Sequence, residues 1–138
     1  MKTVLTVADS KVVRSMVARG LSALGCELLE AANGRDGVEA ARQRRPDLVL
    51  LDVTRPAVDA RQALAELRGD AATAGVPVIL LTDEEGGPTA AEIAELGPAG
   101  HVVKPFQLET LEREVGRVLG VPAAPRQGRP AARDGGVR

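Results

Sequence analysis

Four polar residues of this chain each follow or close a short apolar run. Asp9 comes after the run that starts at Thr3 and ends at Ala8. Asp52 closes Asp47-Leu-Val-Leu-Leu-Asp52, Thr82 closes Val76-Pro-Val-Ile-Leu-Leu-Thr82, and Lys104 follows His101-Val-Val. Together they offer two carboxylates, a hydroxyl and an ammonium, a set suited to phosphate chemistry. Two carboxylates without His or Cys beside them suit a hard cation such as Mg²⁺, which takes oxygen ligands and keeps several waters. A lysine supplies a point charge for a phosphoryl oxygen. A threonine hydroxyl can donate to another. An aspartate beside a metal can act as a nucleophile and carry the phosphoryl group as an acyl phosphate. Taken singly, each has a plainer reading: Asp9 as a helix N-cap, Thr82 as a satisfied strand-end hydroxyl, Lys104 as a surface lysine. Only their joint placement carries weight.

That placement depends on the elements around them. Short β-branched runs alternate with helical patterns, and Gly or Pro punctuates most joins. Asp9 and Ser10 can cap a first helix with Val13, Val17, Leu21 and Leu24 at helical spacing and Gly25 at its C-cap. A short strand over 27–30 follows, and Asn33 can cap a second helix that runs to Arg45 before Pro46. The segments 47–52 and 76–82 are apolar almost throughout, as in parallel strands covered on both faces. Pro56 marks the loop after the first of them. Leu64 and Leu67 give a third helix its buried side, Pro88 can open a fourth and Gly97 close it. His101-Val-Val is a fifth strand, and Leu108, Leu111, Val115 and Val118 stripe a last helix. The expected fold class is α/β: a doubly wound, five-stranded parallel sheet of flavodoxin-like (βα)5 type with strand order 2-1-3-4-5 and right-handed crossovers. In such sheets ligands bind beyond the carboxyl ends of the strands, where Asp9, Asp52, Thr82 and Lys104 would converge.

Composition narrows the classes. At 138 residues one domain with a real core is expected, and 44 % apolar residues with only 1 % aromatic make that core aliphatic. The chain has no Trp or Tyr, which argues against a base-stacking nucleic-acid platform. A net charge of −1 steers the chain towards neither nucleic acid nor an anionic membrane. The single cysteine, Cys26, excludes a disulfide or zinc cluster within the chain, reads as a small buried residue, and fits a cytoplasmic location. No stretch is long enough to span a bilayer, and the N-terminal apolar run is too short for a signal peptide. Residues 1–120 are expected to form the domain. Residues 121–138, rich in Pro, Gly, Ala and Arg with four Arg against one Asp, are expected to be a disordered tail. Arg42, Arg44 and Arg45 read as complements to a helix dipole, and Glu109, Glu112 and Glu114 as a solvated helix face.

The segments Val-Ala-Asp9-Ser-Lys-Val-Val-Arg14, Pro46-Asp-Leu-Val-Leu-Leu-Asp52-Val-Thr-Arg-Pro56, Val-Ile-Leu-Leu-Thr82 and His101-Val-Val-Lys104-Pro-Phe106 resemble the receiver domains of bacterial response regulators, over roughly residues 2–119. The resemblance implies a chemotaxis-regulator-like signalling switch of a two-component phosphorelay, not a metabolic enzyme. Asp52 would be the phospho-acceptor. Asp9, Asp52 and the backbone carbonyl of Thr54 would hold Mg²⁺. Thr82 and Lys104 would bind the phosphoryl group, with a cis bond to Pro105, and His101 would be the rotating switch side chain. A histidine kinase or phosphotransfer protein would donate the group. A downstream protein would read the face of the fourth helix, fifth strand and fifth helix, with no direct nucleic-acid or membrane partner. The short remainder after the domain implies a stand-alone receiver.

Three departures from the family's pattern matter. Ala8 stands where the family has a further acid, so Mg²⁺ binding should be weak. Asp83 stands where a small residue leaves access to the acceptor, and Ala60 where a glycine is common. Ala8 and Asp83 leave open a second reading, an atypical receiver that works as a phosphorylation-independent interaction module. Other classes fit worse. A haloacid-dehalogenase-type phosphatase needs a second acid where Thr54 stands, and no Gly-rich dinucleotide turn or P-loop lysine motif is present.

Overall fold

The computed structural model describes residues 1–53, 57–83 and 89–120. Among the described residues five strands alternate with five α-helices. They run β1 Thr3–Val7, α1 Lys11–Gly20, β2 Glu27–Ala31, α2 Gly34–Arg44, β3 Leu48–Val53, α3 Ala57–Gly69, β4 Val78–Asp83, α4 Ala90–Leu96, β5 Gly100–Lys104 and α5 Leu108–Leu119. The sheet is parallel throughout with order β2-β1-β3-β4-β5, the architecture expected from the sequence. Residues 121–138, Pro56 and Pro88 lie outside the described residues.

Strand alternation sorts the core into two layers. Leu5, Val7, Val49, Leu51 and Leu80 pack under α2 and α3 with Val38, Ala41, Leu64 and Leu67. Val4, Leu48, Leu50, Ile79, Leu81 and Val102 pack on the other face under α1 and α5 with Val17, Leu21, Leu111 and Val115. The central strands are apolar on both sides because both sides are covered. Helix α2 comes close to the sheet: a Cβ on Gly37 would lie 2.6 Å from Val7 Cγ2.

Helix α4 is attached differently. None of its residues is fully buried. Its N-terminus is a capping box, in which the Glu92 N–H donates to Thr89 Oγ1 (3.1 Å) and the Thr89 N–H donates to Glu92 Oε1 (2.8 Å). Arg61 of α3 pairs with Glu92 at 3.1 Å. Arg68 donates to the carbonyls of Leu96 and Gly97, and Gly97 ends the helix at φ 61°. Helix α4 is held by the partly buried Ile93 and Leu96 together with these polar ties to α3.

Several element boundaries differ from the sequence expectation. The first helix stops at Gly20, and Ser22–Leu24 forms a separate 3₁₀ turn that Gly25 closes at φ 66°. The Ser22 hydroxyl donates to the Arg19 carbonyl, competing with the backbone for that acceptor, and glycine propagates a helix poorly. Ser10, rather than Asp9, caps α1 through the Val13 N–H at 3.2 Å. Helix α2 ends at Arg44, and Arg45 takes a left-handed conformation at φ 46°. Strand β4 begins at Val78, after Pro77, whose carbonyl accepts from the Val49 N–H. Cys26 is partly buried, and burial pushes its thiol pKa up. Arg42 pairs with Asp70 at 2.7 Å and Arg44 with Glu27 at 2.8 Å, so specific partners supplement any dipole effect. Glu112 corrects the reading of a solvated acidic face: it is 3 % exposed, among the buried residues of α5 with Leu111, Val115 and Gly116.

Candidate functional site

The carboxyl edge of the sheet is built by strands that extend one residue beyond their expected ends. Strand β3 continues to Val53, β4 to Asp83 and β5 to Lys104. Asp52, Asp83 and Lys104 are therefore strand residues, fixed by ladder hydrogen bonds. The register pairs Asp52 with Leu81 and Asp83 with Lys104. Leu50, Leu81 and Val102 all face α1 and α5, so alternation puts Asp52, Asp83 and Lys104 on that same face.

There they meet. Lys104 Nζ donates to both oxygens of Asp52, at 2.9 and 3.1 Å. The Asp52 side chain is only 6 % exposed and that of Lys104 16 %. A carboxylate this buried requires a close cation, and Lys104 supplies it. Asp83 Oδ1 lies 3.8 Å from the same Nζ, with 32 % of its side chain exposed. One ammonium thus serves two carboxylates. The Lys104–Pro105 peptide bond is cis.

The other residues singled out from the sequence stand at varied distances from this pair. Asp9 follows β1 and is exposed. Val7 pairs with Leu51, so Ala8 comes level with Asp52 and Asp9 one residue further out. Ala8 is 3 % exposed, and its N–H donates to the Ala31 carbonyl at 3.0 Å. Thr82 is 2 % exposed and pairs with Val53, which puts it on the α2–α3 face, opposite to Asp52. His101 is the second residue of β5, paired with Leu80 and exposed. Ala60 is buried within α3. Thr54 lies outside the described residues.

Arg14 carries a positioning role that the sequence reading did not assign. Its guanidinium donates to the Ala8 carbonyl at 2.6 Å and to Glu30 at 2.9 Å, tying the end of β1 to α1 and β2. The signal available was its place on the first helix five residues after Asp9, within reach of the strand end.

The donor set bears on a metal. Asp9, just beyond the end of β1, and Asp52, in the adjoining β3, are hard oxygen donors. Among the described residues no group of three or more His, Cys, Asp or Glu side chains is arranged to hold a metal. Two carboxylates fit a cation that keeps most of its waters, which is the habit of Mg²⁺. Among the described residues no helix is long and apolar enough to cross a membrane.

Comparison with known proteins agrees with the fold. The family model of the response regulator receiver domain matches residues 4–116. Protein PilH of Pseudomonas aeruginosa is 34 % identical over 119 residues, covering 86 % of this chain and 98 % of that protein. The transcriptional regulatory protein AfsQ1 of Streptomyces coelicolor is 32 % identical over 119 residues, and there the match spans 52 % of the longer protein. Among solved structures, the chemotaxis response regulator CheY4 of Vibrio cholerae superposes with a TM-score of 0.75 at 33 % identity, covering 86 % of this chain and 98 % of that one. The receiver domain of the sensor histidine kinase PA1611 of Pseudomonas aeruginosa, with a magnesium ion coordinated in its active-site cleft, gives a TM-score of 0.76 at 28 % identity over the same shares.

Proposed function

The chain belongs to the response regulator receiver domain family, and from that premise we propose that it is a phosphoryl-operated switch whose acceptor is Asp52. The observation that carries this reading is the buried Asp52 carboxylate gripped by both oxygens on Lys104 at the carboxyl edge of the sheet. A histidine kinase or phosphotransfer protein supplies the group. One Asp52 oxygen attacks the phosphorus, the bond from phosphorus to the donor's leaving atom breaks, and that atom leaves with the electron pair. Lys104, already hydrogen-bonded to the nucleophile, has three donors with which to follow the charge onto a phosphoryl oxygen. Asp9 and Asp52, with the Thr54 carbonyl, would hold Mg²⁺, which when bound neutralises charge on the phosphoryl oxygens. With Ala8 contributing no carboxylate, that affinity is low.

Thr82 is the proposed switch hydroxyl. It sits on the strand beside Asp52 but on the other face, so reaching a phosphoryl group requires a local turn of the chain. Such a turn would be felt by α4, which follows β4 and has no fully buried residue. His101 and Val103, exposed on β5 on the α4 side, give a partner protein a surface that changes with it. The 121–138 segment is proposed as a tail outside the domain.

The test is incubation of the protein with Mg²⁺ and acetyl phosphate, and separately with a phosphorylated histidine phosphotransfer domain, followed by intact mass. One added phosphoryl group that is absent in Asp52→Asn supports the switch. No addition from either donor supports instead an interaction module that does not use phosphorylation, the reading that the Ala8 and Asp83 departures favour.

A further inference from the structure

Granting the phosphoryl-switch reading, on which it rests, we infer that Asp83 is a positioning residue that sets how readily this receiver takes up and gives away its phosphoryl group. The residue is fixed in β4, on the same sheet face as Asp52 and Lys104, with Oδ1 3.8 Å from Lys104 Nζ. Lys104 is therefore shared before any phosphoryl group arrives.

Formal charge shows what sharing does. Asp52, Asp83 and Lys104 sum to −1 as they stand, because two carboxylates oppose one ammonium. Phosphorylation replaces the Asp52 monoanion with a dianion, and the trio becomes −2. With a neutral side chain at position 83 the same step goes from 0 to −1. Asp83 thus adds a fixed negative charge that an incoming anion must approach and that competes with it for Lys104. The remaining exposure of the Asp83 side chain weakens this repulsion without removing it. The phosphorylated state is raised in free energy. The receiver then equilibrates with its donor in favour of the donor's phosphohistidine, and a small anionic donor reacts slowly.

The charge can be removed without changing shape by Asp83→Asn, and kept with a longer arm by Asp83→Glu. The rate of Asp52 labelling by acetyl phosphate at saturating Mg²⁺ and the dissociation constant of beryllofluoride are measured for each protein, with thermal unfolding as a check of folding. D83N is expected to label about tenfold faster and to bind beryllofluoride about tenfold more tightly, a difference of ~1.4 kcal/mol. D83E is expected to retain the slow rate. The gain is expected to be smaller with phosphoramidate, which carries less negative charge than acetyl phosphate, a dependence that loosened packing would not produce. Equal rates for all three proteins, or a gain in D83E equal to that in D83N, would overturn the role of Asp83 while leaving Asp52 as acceptor. No labelling in either the wild type or D83N would overturn the switch reading and this inference with it.

Discussion

Removing Lys104 is expected to cost far more stability than removing the acid it holds. At the mean Nζ–Oδ separation of roughly 3 Å, the gross attraction between Lys104 and Asp52 is about 5.5 kcal/mol at an effective dielectric of 20. Desolvation of both groups offsets much of this in the intact pair. Lys104→Met abolishes the attraction but leaves the Asp52 carboxylate 6 % exposed, with Asp83 still beside the vacated position. Breaking a buried pair in this way typically costs about 3–5 kcal/mol. Asp52→Asn has a milder effect, because Lys104 keeps the Asp83 carboxylate and the amide oxygen, so a loss of about 1 kcal/mol or less is expected. The double variant K104M/D52N should then be more stable than K104M alone by roughly 2 kcal/mol or more, a coupling of the size seen within one buried network. Urea unfolding at pH 7 followed by far-UV circular dichroism measures all three, since the chain has no Trp or Tyr to report by fluorescence. Equal losses in the two single variants, or a double variant no more stable than K104M, would refute the idea that Lys104 is what makes the buried carboxylate tolerable.

Gly37→Ala adds a methyl group 2.6 Å from Val7 Cγ2 and 2.9 Å from Cγ1. Overpacking of about 1–3 kcal/mol exceeds the gain of about 1 kcal/mol in helix propensity, so a thermal midpoint lower by several degrees is expected. Arg45→Gly relieves a left-handed conformation at φ 46° and should stabilise by about 0.5–1 kcal/mol in the same urea assay. Acid should destabilise the fold. The Ala72 N–H and Arg42 hold the Asp70 carboxyl below the usual range, the Thr89 N–H and Arg61 do so for Glu92, and the Arg117 guanidinium does so for Glu114. The unfolded chain binds protons at these sites first, so their contribution is complete above the ordinary carboxylate pKa of about 4 and is lost as pH falls through the lower folded values. Melts by circular dichroism from pH 7 down to pH 3 check this, and a midpoint that does not move below about pH 4.5 would contradict it.

The sequence makes most of this fold legible because each layer repeats one simple signal. Apolar runs such as Leu48–Leu51 and Val78–Leu81 have no polar alternation, and only a sheet covered on both faces accommodates that. The convergence of Asp52 and Lys104 follows from two strand ends and the rule for doubly wound sheets. Less legible was the face that each side chain takes, which depends on where a strand stops to within one residue. Ending β4 at Thr82 left the direction of Asp83 open, whereas its inclusion in the strand puts it beside Lys104. By the same alternation Thr82 turns to the other face. The start of α4 is marked by the Thr89-x-x-Glu92 capping box, a sequence signal that competes with Pro88 one residue earlier. Glu112 could not be separated from its acidic neighbours by composition. Only its place among the buried residues of α5 in the folded chain distinguishes it.

The most direct measurement on the acceptor itself is to phosphorylate the protein, reduce the acyl phosphate with borohydride, and locate the resulting homoserine by peptide mass spectrometry. Asp52 as the single modified position, with none in D52N, is the expected result. Modification at Asp9 or Asp83 instead, or at no aspartate under conditions where a phosphotransfer donor loses its phosphoryl group, would contradict Asp52 as the acceptor.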